Sequence, residues 1–145
     1  MQLKSQAFQN GKLIPGKYTC DGKNASPPLV IMDAPKETKF LAIILDDPDA
    51  PRGTFLHWLL WNIPSKVTEI KEGESPGVKG KNDFGKLGYG GPCPPSGIHR
   101  YVFRVYALDT SLSLPEGSSS KQVEAAMKGH IVESAELIGR YARTA

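Results

Sequence analysis

Two long apolar runs dominate the pattern of hydrophobic and polar positions along the chain. Residues Lys39 to Asp47 and Thr54 to Ile63 are almost continuously apolar rather than alternating. A strand that is buried on one face alternates, so these runs predict two strands with both faces covered. The first run stops at Pro48 and the second at Pro64, because proline cannot continue a hydrogen-bonded ladder. We expect these two strands to be central in a sheet.

A strict period of two in the second run would place one histidine among apolar side chains. His57 would share a face with Leu59, Trp61 and Ile63, because alternate residues of a strand point to the same side. We therefore expect His57 to begin inside apolar surroundings at the start of this strand.

A third strand follows an irregular loop. Residues His99 to Leu108 are β-branched and aromatic, which predicts a strand with His99, Tyr101 and Phe103 on one face. The stretch from Gly88 to His99 is rich in Gly and Pro, which excludes a helix. His99 thus lies where a sheet meets a loop, a common place for binding residues.

The two ends of the chain give weaker patterns. Short strands are expected within Met1 to Gln9 and Leu13 to Tyr18. Ser119 with Gln122 resembles a capping box, so a helix should begin there. Apolar residues continue at near-helical spacing to Ile138, with a break or kink at a glycine, which predicts one amphipathic helix or two short ones.

Composition favours a single mainly β domain over residues 1–145. The 145 residues include 15 Gly and 12 Pro spread along the chain, as expected for many short strands joined by turns. The fold class that these patterns predict is mainly β, with one or two C-terminal helices. The net charge is only +3 and no basic stripe is present, so nucleic-acid binding gains no support. No apolar run is long enough for a membrane span, and the N-terminal residues lack the apolar region of a signal peptide, so we expect a cytoplasmic protein.

The two cysteines, Cys20 and Cys93, are too few for a disulfide framework and match no zinc spacing. Two buried thiols are the first expectation in a reducing compartment, and a single bridge between them is the open alternative.

Three polar residues stand at the ends of the strongest strands: Asp47 after the first, His57 near the start of the second, and His99 at the start of the third. If these strands are antiparallel neighbours, their ends meet at one edge of the sheet. The sequence therefore predicts one pocket, with Asp49, Tyr101 and the Gly90-Gly91 backbone as further lining.

This group of residues has three possible meanings from its chemistry alone. Two histidines and a carboxylate can bind a metal, although the close ligand spacings typical of such sites are missing. Ser96 or Cys93 beside His99 would be the nucleophile of an acyl-transfer site, although no Gly-x-Ser-x-Gly motif is present. Glycine amides with histidine donors can form a small anion pocket.

The order of the motifs resembles the phosphatidylethanolamine-binding protein family, also called Raf kinase inhibitor proteins, in its shorter bacterial and archaeal branch. The likeness runs from about Phe8 to Tyr141 and rests on Asp47-Pro48-Asp49-Ala50-Pro51, His57, Gly90-Gly91-Pro92 and His99-Arg100-Tyr101. The resemblance implies a mainly β fold, a sandwich of antiparallel sheets with one or two C-terminal helices. It also implies a small pocket for phosphate, phosphoethanolamine head groups or similar anions. By motif position the pocket residues would be Asp47, Ala50, Phe55, His57, Gly91, Pro92, His99 and Tyr101.

Two differences from the family pattern matter for the pocket. Phe55 stands where many members carry Trp, and the sequence ends at Ala145 without the longer C-terminal helix of eukaryotic members. The pocket is then expected to be more open, or closed by a partner subunit in a homodimer.

We expect a non-enzymatic protein that binds a small anion and needs neither a metal nor another cofactor. Gly90, Gly91, His57, His99 and Tyr101 would hold the anion. Family members are also described as inhibitors of serine proteases and regulators of kinases. The alternative function is therefore inhibition of such an enzyme through the long loop from Glu69 to Lys86.

Overall fold

The computed structural model describes residues 1–143, which form two antiparallel sheets and one helix. The smaller sheet has three strands in the order β1-β2-β5, and the larger has five in the order β6-β4-β3-β7-β8. In chain order the elements are β1 Gln2–Lys4, β2 Leu29–Met32, β3 Phe40–Asp47, β4 Phe55–Pro64, β5 Glu69–Ile70, β6 Val78–Lys79, β7 His99–Leu108, α1 Ser120–Met127 and β8 Ile131–Tyr141. The expected sandwich of antiparallel sheets is confirmed.

The larger sheet is covered on both faces, which explains the unbroken apolar runs of β3 and β4. One face packs against the small sheet in a core that contains Leu41, Ile43 and Trp58. The opposite face packs against α1 and the segment before it, through residues such as Ile44 and Trp61. Because both faces of β3 are buried, five consecutive residues from Leu41 to Leu45 are almost inaccessible to water.

Strand β4 does not keep a strict period of two. Its pairing with β3 shifts at two places, and at the second Asp46 pairs with Leu56 while Leu45 pairs with Trp58. His57 is therefore the extra residue of a β-bulge, which turns side chains out of simple alternation. The prediction that His57 shares a face with Leu59 and Trp61 is wrong for this reason.

The C-terminal part of the chain differs most from expectation. The capping box is confirmed, because the Ser119 hydroxyl accepts from the Gln122 amide and the Gln122 side chain accepts from the Ser119 amide. The helix ends at Met127, and Gly129 takes a positive φ of 84°. The apolar residues beyond it belong to β8, an edge strand that pairs along the whole of β7. Within residues 1–143 one α-helix is present, and the helical pattern does not continue to Ile138.

The N-terminal strands are also shorter than predicted. Within Met1 to Gln9 only Gln2–Lys4 pairs with β2. Leu13 makes a single bridge to Arg140, and Gly16–Tyr18 forms one turn of 3₁₀ helix after Pro15 rather than a strand. Proline at this place fixes φ and lacks the N–H that a ladder needs.

Candidate functional site

A small cavity of about 200 Å³ lies at the edge of the large sheet where β3 ends and β4 and β7 begin. We call it the end pocket. It is lined by Asp47, Ala50, Pro51, Phe55, His57, Phe84, Cys93, Pro94, Pro95, His99 and Tyr101. The predicted meeting of Asp47, His57 and His99 therefore occurs, because β3 lies between β4 and β7 and is antiparallel to both.

Asp47 and His99 form a tight buried pair. The Nδ1 atom of His99 lies 2.6 Å from Oδ2 of Asp47, and both side chains are less than one-tenth exposed. The other oxygen of Asp47 accepts the backbone N–H of Asp49 at 2.8 Å. Because a carboxylate only accepts, Nδ1 of His99 carries the proton and Nε2 is the ring atom left for a ligand.

His57 is held in the same way by a different acceptor. Its Nδ1 lies 2.6 Å from the carbonyl oxygen of Gly90. A carbonyl cannot donate, so Nδ1 is again protonated and Nε2 is free of this bond. Burial lowers the pKa of His57, and the nearby Gly90 carbonyl and Asp47 carboxylate oppose this only in part. Neutral His57 therefore offers a ligand an acceptor, and protonated His57 offers a donor.

Tyr101 supplies the most informative atom of the pocket. Its side chain is fully buried, and its hydroxyl makes no well-formed hydrogen bond among the residues the structure describes, although the Asp47 carboxylate and the Cys93 backbone lie close enough to affect its pKa. Burial raises the pKa of Tyr101, and the negative charge of Asp47 raises it further, so the hydroxyl keeps its proton. The ring meets His57 edge-on at 5.4 Å between centroids. A buried hydroxyl without a partner is unfavourable and marks a place where a ligand atom would be accommodated.

The amides of Gly90 and Gly91, which were predicted to hold the anion, are hydrogen-bonded within the protein. The N–H of Gly90 donates to the carbonyl of His57 at 2.9 Å, and that of Gly91 donates to Oδ1 of Asn24 at 2.9 Å. Neither glycine lines the end pocket, and neither does Pro92, whose carbonyl accepts the N–H of Cys20. These three residues hold the pocket wall in place instead. Gly91 is glycine for space, because a Cβ atom there would collide with the Tyr18 carbonyl and the Asn24 side chain.

Asp49 also lies outside the pocket, contrary to prediction. Both of its carboxylate oxygens bind Arg100, through the guanidinium at 2.8 and 2.9 Å and the backbone N–H at 2.9 Å. The hydrogen bonds from Arg100 lower the pKa of Asp49 to about 2. Asp49 is thus a clamp between the turn after β3 and the start of β7.

A disulfide joins Cys20 to Cys93 beside the pocket. The expectation of two buried thiols is therefore wrong, and the alternative of a single bridge is confirmed. A disulfide sulfur is not a thiolate nucleophile, so acyl transfer by Cys93 is excluded in this state. Ser96 is exposed and makes no hydrogen bond to a histidine within residues 1–143.

Ala50 and Phe55 line the pocket as predicted, but Phe84 and the prolines of the wall were missed. Phe84 comes from the loop between β6 and β7 and reaches the pocket because Asn82 and Asp83 fix the loop. The side chain of Asn82 accepts the N–H of Phe84 at 2.9 Å, and Asp83 accepts the N–H of Leu56 at 2.7 Å. An aromatic residue inside a Gly-rich polar loop was the available signal.

Other features of the molecule lie away from this chemistry. A larger groove of about 740 Å³ runs between β1 and β8 and contains no histidine. Within residues 1–143 no three His, Cys, Asp or Glu side chains gather in a way that could hold a metal ion. No helix in that same range combines the length and the apolar character required to cross a bilayer.

The fold and the end pocket together define a β-sandwich domain with a compact site of one carboxylate, two histidines and a tyrosine. The sequence model of the family described as phosphatidylethanolamine-binding protein matches residues 4–142. The chain belongs to this family.

Relatives and solved structures agree with this assignment. A UPF0098 protein of Pyrococcus horikoshii is 52% identical, with 99% of this chain and 78% of that protein covered. One from Aquifex aeolicus is 51% identical, with 99% and 89% covered. The crystal structure of a phosphatidylethanolamine-binding protein homologue from Chlamydia trachomatis has a TM-score of 0.96 at 45% identity and covers 99% of this chain and 97% of its own. Escherichia coli YbcL, described as a member of the mammalian family, has a TM-score of 0.91 at 32% identity, with 99% and 98% covered.

Proposed function

We propose that the protein is a non-enzymatic binding protein that holds a small phosphate-like anion in the end pocket. The observation that carries this proposal is the buried hydroxyl of Tyr101, a residue of the pocket wall, which makes no well-formed hydrogen bond within residues 1–143 although Asp47 lies close to it. It is a donor that keeps its proton, as an anion requires. The Nδ1 atoms of His57 and His99 are already hydrogen-bonded within the protein, so the Nε2 atom of each ring is the nitrogen available to the ligand.

Charge decides the conditions under which an anion binds. Asp47 already places a negative charge in the pocket, and burial keeps His57 neutral near physiological pH. An anion therefore binds well only when a histidine takes up a proton, which turns an Nε2 acceptor into a charged donor. Binding and protonation are then linked, so affinity must rise as pH falls.

Calorimetric titration with phosphate and with phosphoethanolamine at about pH 8 and about pH 6 tests the proposal. We expect affinity to increase at least about tenfold at the lower pH, with proton uptake visible as a dependence of the heat on buffer ionisation. His57→Gln should reduce this pH dependence. His130→Gln is the matched control, because His130 is exposed and binds Asp109 away from the pocket. Absence of binding at millimolar ligand at both pH values would refute the proposal.

The loop from Glu69 to Lys86 supports the inhibitor alternative less well. It contains the short strands β5 and β6, and Ser75 accepts a hydrogen bond from the Trp58 indole at 3.2 Å. Asp83 also accepts a hydrogen bond from the Leu56 amide. The loop is therefore attached to the rest of the domain and is not a free segment that could enter the active-site cleft of a protease or kinase.

A further inference from the structure

The ring of Phe84 stands between the end pocket and a second cavity. That cavity has a volume of about 340 Å³, and we call it the side cleft. Its lining consists of Cys20, Asn24, Asn82, Phe84, Lys86, Tyr89, Gly90 and Gly91. Phe84 lines both cavities, and the disulfide also links them, because Cys93 lines the end pocket and Cys20 the side cleft.

The ring of Phe84 is packed against its neighbours but remains partly exposed. Its centroid is 4.8 Å from that of Phe55 and 5.4 Å from that of His57, both in edge-to-face contact. The ring rests directly on Gly90, where a Cβ atom would collide with it. Nevertheless 46% of the residue is exposed. A large aromatic surface that is fixed on one side and open on the other is suited to stacking against a ligand.

The side cleft is suited to a flat group that needs few hydrogen bonds. Its most buried polar groups are already bonded inside the protein: Asn82 to the carbonyl of Gly88 and to backbone amides, and the Tyr89 hydroxyl to the carbonyl of Tyr18. Lys86 at the exposed rim adds a positive charge.

We propose that the side cleft is a second subsite, and that the ligand is a phosphomonoester whose flat aromatic or heteroaromatic substituent lies across Phe84 into this cleft. Phe84 is then the residue that determines specificity between small anions and their aromatic esters. This inference rests on the proposed anion-binding function, because the phosphate occupies the end pocket. It adds the chemical class of the group attached to the phosphate.

Calorimetric titrations with methyl phosphate and 1-naphthyl phosphate at about pH 6 test whether the side cleft is a second subsite. The two monoesters share the anion and differ in the ring. We expect 1-naphthyl phosphate to bind about fivefold more tightly to the native protein. Phe84→Ala should reduce this advantage to less than about twofold, whereas Phe84→Tyr should retain it. Because Phe84 also lines the end pocket, each variant's affinity for 1-naphthyl phosphate is compared with its own affinity for methyl phosphate, so that a change in the shared phosphate site cancels. Leu87→Ala is the matched control, because Leu87 is 48% exposed in the same loop but lines neither cavity.

Amide chemical shifts in nuclear magnetic resonance locate the ring. We expect 1-naphthyl phosphate, but not methyl phosphate, to shift the amides of Lys86 and Gly91. If methyl phosphate binds while 1-naphthyl phosphate shows no advantage, or keeps its advantage in Phe84→Ala, the side-cleft inference fails and anion binding stands. If neither ester binds, both proposals fail.

Discussion

At the scale of single residues, the Tyr101 hydroxyl is expected to lower the free energy of unfolding of the protein without ligand. A buried hydroxyl without a partner costs about 1–3 kcal/mol relative to a satisfied one. Tyr101 lies in β7, and its hydroxyl makes no well-formed hydrogen bond in the described chain, although Asp47 and the Cys93 backbone lie close to it. The free protein therefore carries an unfavourable group that a ligand would satisfy.

Tyr101→Phe should separate these two effects. We expect the free energy of unfolding without ligand to rise by about 1 kcal/mol, because the variant no longer buries an unsatisfied hydroxyl. Phosphate affinity should fall about tenfold, because the ligand loses a donor. Urea unfolding with and without phosphate measures both quantities.

The control for this prediction is Tyr89→Phe. The Tyr89 hydroxyl is satisfied by the carbonyl of Tyr18 at 2.6 Å, so its removal should lower the free energy of unfolding instead. A loss of stability in Tyr101→Phe similar to that of Tyr89→Phe would contradict the view of Tyr101 as an unpaired group kept for a ligand.

The sequence indicates some site residues and not others for a physical reason. Asp47, His57 and His99 could be placed because antiparallel neighbours bring alternate strand ends to one edge. The sequence could not show that the amides of Gly90 and Gly91 are already hydrogen-bonded, because whether an amide is free depends on partners such as Asn24 that lie far away in the chain. Local sequence carries no information about such a partner.

At the scale of elements, one wall of the end pocket is a loop that is fixed by bonds to a distant part of the chain. Residues Pro92 to Pro95 belong to no strand, and their attachment runs through the Cys20–Cys93 disulfide and the bond from the Cys20 amide to the Pro92 carbonyl. The pairing of the cysteines could not be derived from a separation of 73 residues, because spacing alone does not determine which loops meet in space.

Replacing both cysteines by alanine should lower the free energy of unfolding by about 4 kcal/mol, since the cross-link closes a long loop and restricts the unfolded chain. Guanidinium unfolding of the native protein and of the Cys20→Ala/Cys93→Ala variant measures the difference. Native protein treated with a reducing agent should show the same loss. Equal stability of the oxidised protein and the variant would mean that the backbone contacts alone hold the wall.

The last strand shows where an element cannot be read from spacing. Ile131, Ala135 and Ile138 fall at intervals that suit a helix, yet they lie in β8. Gly129 interrupts the helix with a positive φ, and the β-branched pair Ile131-Val132 follows it. Pairing with β7 then decides the conformation, because tertiary contacts outweigh weak local preference.

At the scale of the whole molecule, the buried histidine links the fold to pH. Burial lowers the pKa of His57 in the folded protein below its value in the unfolded chain. The unfolded chain therefore takes up a proton first as pH falls. The stability that neutral His57 contributes is complete above about pH 6.5 and is lost as pH falls toward the folded-state pKa.

We expect the free energy of unfolding to decrease between about pH 7.5 and about pH 5.5, by up to about 1.4 kcal/mol per pH unit for this one group. His57→Gln should flatten that slope, and His130→Gln should leave it in place. Saturating phosphate should also flatten it, because the ligand favours the protonated ring. Urea unfolding across this range gives the slopes, and an unchanged slope in His57→Gln would assign the effect to other groups.

The pairing of Asp47 with His99 also has a consequence for the order of events in folding. These residues are 52 positions apart, and they meet only when β3 and β7 have paired. Closing so long a loop is a late and slow step for a chain rich in such pairings. A ligand thus finds its contacts only in a chain that has almost completed folding. Its binding energy would lengthen the lifetime of the native state without hastening its formation.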